Sequence, residues 1–238
     1  MCVLTYVPVA NKGFIVTSNR DENIQRPMAI PPKKLKINGV EVFCPIDPSS
    51  KGTWIATTKC YTLVLLNGGN KKHKVAKNYR QSRGQVILEF LKWNNPHTFF
   101  DNFLFEEMEP FTLVLFKNDD RSEISEIKWC SGEKYMNQYD GENSLIWSSA
   151  TLYDQSAVEK RKSWFFDHLQ KHNLDISSEN ILEFHQNGGK EDPRDSIKLK
   201  REEGIETVCI TQIEIYPNSK YLYFNNLTNN TSNRFIIY

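Results

Sequence analysis

Apolar residues in this chain come mostly in short runs with a period of two, and only a few stretches carry the 3.6-residue period of a helix. Residues 2–8 and 13–18 are two β-rich runs around an Asn11-Lys12-Gly13 turn, which predicts a hairpin. Residues 23–50 are polar and proline-rich, with Pro31-Pro32 and Lys33, Lys34 and Lys36. They read as a long loop holding one short strand at Val40–Phe43. Thr53–Thr57 and Tyr61–Leu66 form a second predicted hairpin, and its second strand is apolar on both faces. Residues 71–81 are a basic loop. Ser82 then caps a helix with Val86, Ile87, Phe90 and Leu91 on one face. A further helix runs from Pro96 to Met108, and its phenylalanines are expected in the core.

Strands resume at Phe111–Phe116, Glu123–Cys130 and Ser144–Ala150. The longest helix spans Asp154–His172. Its predicted buried stripe is Val158, Phe165 and Leu169, with Arg161 on the flank. Residues 177–186 form a shorter helix. Residues 187–203 are charged, contain Gly188-Gly189 and read as a mobile flap or disordered loop. The end is strand: Ile205–Tyr216, Tyr221–Asn225 and Phe235–Tyr238. Strands, helices, strands, helices, strands, with no repeat and no linker, predict one α+β domain over 1–238, with two stacked antiparallel sheets flanked by helices.

Candidate chemistry concentrates at the first hairpin. Cys2 follows the initiator methionine, and Asn19-Arg20-Asp21-Glu22 closes the second strand. Removal of Met1 gives one residue with a thiol nucleophile and a free α-amine of pKa about 7.7–8.0, a usable general base. The hairpin sets Cys2 beside Arg20 and Asp21. Asp21 would orient the amine, and Arg20 would favour the thiolate.

Met1-Cys2, Ser18-Asn19-Arg20-Asp21-Glu22 and Arg26-Pro27 resemble the NRDE family, also called the transport and Golgi organisation protein 2 family. Gly52-Thr53-Trp54-Ile55, Leu65-Leu66-Asn67, Ser82-Arg83-Gly84, Ser148-Ser149-Ala150 and Thr207 follow in matching order. That family is similar to the cysteine N-terminal-nucleophile hydrolases such as penicillin V acylase. The similarity implies a four-layer αββα sandwich and hydrolysis of a C–N amide bond in a small substrate. It also implies a catalytic set of Cys2, Arg20, Asp21, Asn67 and Ser149, with Asn67 holding the oxyanion. Asn19, Glu22, Arg26, Trp54 and Gly68 would line the substrate. Asn67-Gly68 also fits a plain turn. Two positions depart from the hydrolase pattern: Ser149 stands where the acylases carry asparagine, and Val208 where an arginine is expected. The family link to haem and acyl-CoA handling implies an alternative, a non-catalytic haem or lipid carrier on the same fold.

Composition narrows the setting. A net charge of +1 gives no footprint for nucleic acid or anionic lipid. No apolar run approaches the ~18–20 residues that span a bilayer. Five widely spaced cysteines without C-x-x-C support neither a zinc site nor a disulfide framework, which fits a reducing cytoplasm. No metal and no cofactor are expected.

Overall fold

The computed structural model describes residues 3–9, 13–70, 72–73, 78–119, 123–172 and 176–237. The chain divides into two compact units. The first gathers Met1–Arg26, Asn143–Ser148 and Leu152–Tyr238; the second holds Pro27–Glu142 and Ser149–Thr151. The chain is α+β, as the alternation of periods predicts, with one antiparallel sheet and its own helices in each unit.

The second unit is a meander. Strands β3 (Ile30–Ile37), β4 (Val40–Ile46), β5 (Ile55–Thr58), β6 (Tyr61–Asn67), β7 (Phe111–Lys117), β8 (Ile124–Cys130) and β9 (Glu133–Tyr139) pair in chain order. Every residue from Tyr61 to Leu66 is buried, as its run of apolar residues predicts. A 3-10 turn at Arg83–Gln85, capped by Ser82, leads into α1 (Val86–Phe90), and α2 is Pro96–Asn102. Leu63, Leu65 and Leu113 pack with Ile87, Phe90, Phe99, Phe103 and Phe105 in one cluster. Its rings meet edge-on or stacked, Phe99 on Phe103 at 4.7 Å.

Two expectations here are corrected. The stretch 30–46 is a strand pair, not a loop with one strand. Pro31 and Pro32 cannot donate to a ladder, so β3 lies at the sheet edge, and its pairing slips between Ile30 and Lys33. Asn38-Gly39, both at positive φ, makes the tight turn to β4. The helix from Pro96 stops at Asn102. Phe103 is extended, and Phe105 and Met108 reach the core from irregular backbone.

The strands of the first unit are β1 (Val3–Pro8), β2 (Phe14–Asn23), β10 (Leu145–Ser148), β11 (Ile205–Tyr216), β12 (Ser219–Asn226) and β13 (Thr231–Ile236). They pair in the order β10-β1-β2-β11-β12-β13. The predicted first hairpin is present, with Val3 opposite Asn19 and Pro8 opposite Phe14. Helices α3 (Gln155–Lys171) and α4 (Ser178–Asn187) are capped by Asp154 and Ser177. Phe165, Leu169, Ile181, Phe184 and Ile197 pack with Val3 and Val7.

The buried stripe of α3 is Ala157, Arg161, Phe165 and Leu169, one residue every four, so Arg161 belongs to the stripe and not to the flank. Its guanidinium donates to the carbonyls of Asp195 (2.8 Å) and Ser196 (2.6 Å). These bonds tie down the predicted flap: Ile197 and Leu199 are core residues. Low hydrophobicity had argued for disorder. The segment is ordered instead by donors from a helix distant in sequence.

A second polar tie holds α4 to β2. The side-chain nitrogen of Asn19 donates to the carbonyls of His185 (3.0 Å) and Ile197 (2.9 Å). Its oxygen faces His185 Nδ1 at 2.8 Å, and Thr5 Oγ1 lies 2.8 Å from His185 Nε2. An amide oxygen only accepts, so Nδ1 carries the proton and Nε2 accepts from the threonine. The imidazole is neutral, and burial pushes its pKa down to about 3. The unfolded chain therefore binds a proton below about pH 6.5 that the folded chain refuses. The His185 share of stability is expected to fall by about 2 kcal/mol between pH 7 and pH 5. Urea unfolding at both pH values should show it, with the pH slope reduced by that amount in His185→Gln. Asn19→Ala, which leaves two buried carbonyls without a donor, is expected to cost about 3 kcal/mol in the same assay.

Candidate functional site

The Asn-Arg-Asp-Glu run closes β2, and strand alternation sends its side chains to opposite faces. Asn19 and Asp21 share one face, Arg20 and Glu22 the other. Ser18, Asn19, Arg20 and Asp21 are all buried. A run of buried polar groups persists only where each finds partners.

Asp21 is held by two hydroxyls. Thr207 Oγ1 donates to Oδ1 at 2.5 Å, and Tyr153 O–H donates to Oδ2 at 3.1 Å. The Thr207 oxygen in turn accepts from the backbone N–H of Leu199 at 2.8 Å. The Tyr153 ring lies under the Arg161 guanidinium, 3.4 Å from carbon to ring centre, with Arg201 at 5.3 Å. The carboxylate is thus held by a strand and a loop, and the helix bears on it only through the Tyr153 ring. Tyr153 and Arg161 were missed in the sequence. The only available signal was the four-residue spacing of Arg161 with Ala157, Phe165 and Leu169.

On the other face, Glu22 Oε2 lies 3.4 Å from Arg20 and 3.5 Å from Arg26. This shared carboxylate orients both guanidinium groups. Arg20 lies opposite Cys209 on β11, whose pairing shifts between Thr207 and Cys209. The shift leaves Val208 without a partner on β2, and its carbonyl accepts from Leu227 N–H at 3.0 Å. The position where the resemblance expects an arginine is therefore a β-bulge. Cys209 is a buried thiol pushed up to about 12 by desolvation, against the opposing pull of Arg20.

The second unit carries the other predicted residues. Asn67 ends β6 opposite Phe111, half-buried, and its side-chain amide bonds to no other described residue. Its carbonyl accepts from Ser149 Oγ at 2.6 Å. A serine hydroxyl has one proton, and this one is engaged, so Ser149 positions the Asn67 backbone. Gly68 follows at φ +84°, where a Cβ would lie 2.7 Å from Thr151 Oγ1. Gly68 N–H donates to Pro110, and its carbonyl accepts from Thr112 Oγ1 at 2.9 Å. Trp54 is almost wholly buried beside the start of β5. Cys2 lies outside the described residues.

A buried, doubly hydrogen-bonded aspartate on one face of β2, with an Arg–Glu–Arg cluster on the other, is carried on a fold seen in N-terminal-nucleophile hydrolases. The solved penicillin V acylase from Agrobacterium tumefaciens matches 100% of this chain and 86% of its own, with a TM-score of 0.56 and 9% identity. At that identity the likeness establishes the fold. The chain belongs to the Transport and Golgi organisation 2 family, whose model matches residues 1–230. No curated protein is similar to it in sequence.

Removing either hydroxyl from Asp21 is expected to lower stability by about 1–2 kcal/mol. Thr207→Val should cost more than Tyr153→Phe, because it also strands the Leu199 N–H. Denaturant titration tests this, and both costs should shrink in an Asp21→Asn background if the bonds are coupled. In the folded protein Cys209 should resist iodoacetamide at neutral pH, read by peptide mass mapping.

Proposed function

We propose that this chain is an N-terminal-cysteine amidohydrolase acting on a C–N amide bond of a small substrate. The observation that carries the reading is Asp21, buried at the end of β2 and fixed by Tyr153 and Thr207, with Arg20 next to it. Membership of the family and an acylase as fold neighbour support it.

In this reading Met1 is removed and Cys2 becomes the first residue. Its α-amine takes the thiol proton, and the sulfur attacks the amide carbon. Charge collects on the carbonyl oxygen, which Asn67 stabilises with its amide N–H. The ammonium then protonates the leaving nitrogen as the C–N bond breaks, leaving a thioester on Cys2. Water, deprotonated by the same amine, attacks the thioester and releases the acid. Asp21 orients the amine and balances its positive charge, while Arg20 favours the thiolate. Ser149 acts only through the Asn67 backbone. Asn19 positions the strand end and is not a substrate contact. Glu22 sets the two arginines, and Arg26, half-buried, is the better substrate contact.

Among the described residues no helix is long and apolar enough to cross a membrane. Cys44, Cys60, Cys130 and Cys209 are free thiols, and a reducing cytoplasm suits them.

The test is hydrolysis of an acyl-amide library, with intact-mass spectrometry to show Met1 removal. Turnover is expected, lost by at least about 1,000-fold in Cys2→Ala, with ligand affinity retained. Asp21→Asn should lower kcat far more than it raises KM. Undiminished turnover in Cys2→Ala would sink the mechanism. No turnover at all, with saturable acyl-CoA or haemin binding instead, would move the chain to the carrier reading.

A further inference from the structure

His168 and His172 are four residues apart at the end of α3, which puts both rings on one side of the helix. Their centroids are 4.6 Å apart. Glu183 reaches them from α4. One ligand atom from each of the three lies within 4.8 Å of the other two. His172 Nε2 and Glu183 Oε2 are 3.9 Å apart, too far for a hydrogen bond. That nitrogen is withdrawn from solvent and has no hydrogen-bond partner among the described residues. His168 Nε2 faces the Asn180 carbonyl at 2.8 Å. A proton donated there fixes the tautomer and leaves the other ring nitrogen its lone pair, as in many metal-bound histidines. A plain helix contact accounts for the packing. It does not account for an imidazole nitrogen withdrawn from solvent, without a hydrogen bond and 3.9 Å from a carboxylate oxygen.

We propose that His168, His172 and Glu183 form a divalent transition-metal site, most suited to Zn²⁺, that clamps the end of α3 to α4. Two imidazoles and one carboxylate suit Zn²⁺, Ni²⁺ or Cu²⁺, whereas Mg²⁺ and Ca²⁺ require more oxygen ligands. Bonds of about 2.0–2.2 Å place tetrahedral donors about 3.4 Å apart, so the three groups must close by roughly 1 Å. Glu183 is 52% exposed and His172 terminates its helix, so both have room to turn. Water would take the fourth position. The metal's role is structural. It joins the two helices that bury Phe165 and Phe184 against β1, two residues before the His185 tie to β2.

The test is thermal unfolding of chelator-treated full-length protein titrated with ZnCl₂. A saturable one-to-one rise of roughly 5 °C is expected, with none for MgCl₂. His172→Ala and Glu183→Gln should each remove the rise while keeping the metal-free melting temperature near that of the parent. Co²⁺ should give a d–d band without thiolate charge-transfer absorption. No saturable rise, or an equal rise in both variants, would overturn the site. So would thiolate absorption with Co²⁺, which would move binding to cysteine.

Discussion

The buried amide of Asn19 is the contact on which the first unit most depends. One side chain satisfies two carbonyls and one ring N–H, from α4 and from the segment after it. A buried polar group left unpaired costs more than the net gain of a normal hydrogen bond, so these elements hold or fail together. The tie also sets the height of β2 against the helices. That in turn determines where Asp21, two residues on and on the same face, meets Tyr153 and Thr207.

Each of the two positions that depart from the hydrolase pattern has its own local account, Val208 in the first unit and Ser149 in the second. At Val208 the strand bulges, so the residue lies off the ladder and needs no partner on β2. At Ser149 the short hydroxyl does not imitate an amide. It turns to the Asn67 carbonyl and secures the strand end beside Gly68. Both changes leave the aspartate and its two hydroxyl donors intact.

Buried cations do similar work elsewhere in the unit. Arg161 sits in the apolar stripe of α3, stacked on Tyr153 and donating to two backbone carbonyls. A guanidinium can be buried in this way because its fixed donors match carbonyls while its plane covers a ring. The consequence is order in 187–203, where composition alone argues for disorder. The Arg20–Glu22–Arg26 cluster serves the opposite face of β2 and leaves Arg26 partly exposed.

The sequence by itself determined most strands and helices, through the period of their apolar residues, and it marked Arg20, Asp21 and Asn67 as candidate chemistry. It also carried the Asn38-Gly39 turn, whose meaning was hidden by the prolines and lysines of β3. Those residues belong to an edge strand, and only the sheet shows which strand is the edge. Tertiary structure alone decided that Asn19 is a tie, that Arg161 is interior, that the Ser149 proton is engaged and that Asp21 rests on Tyr153. The reason is common to all four. Periodicity reports which face of its own element a side chain takes, whereas the fate of a buried polar group depends on partners that only folding brings near.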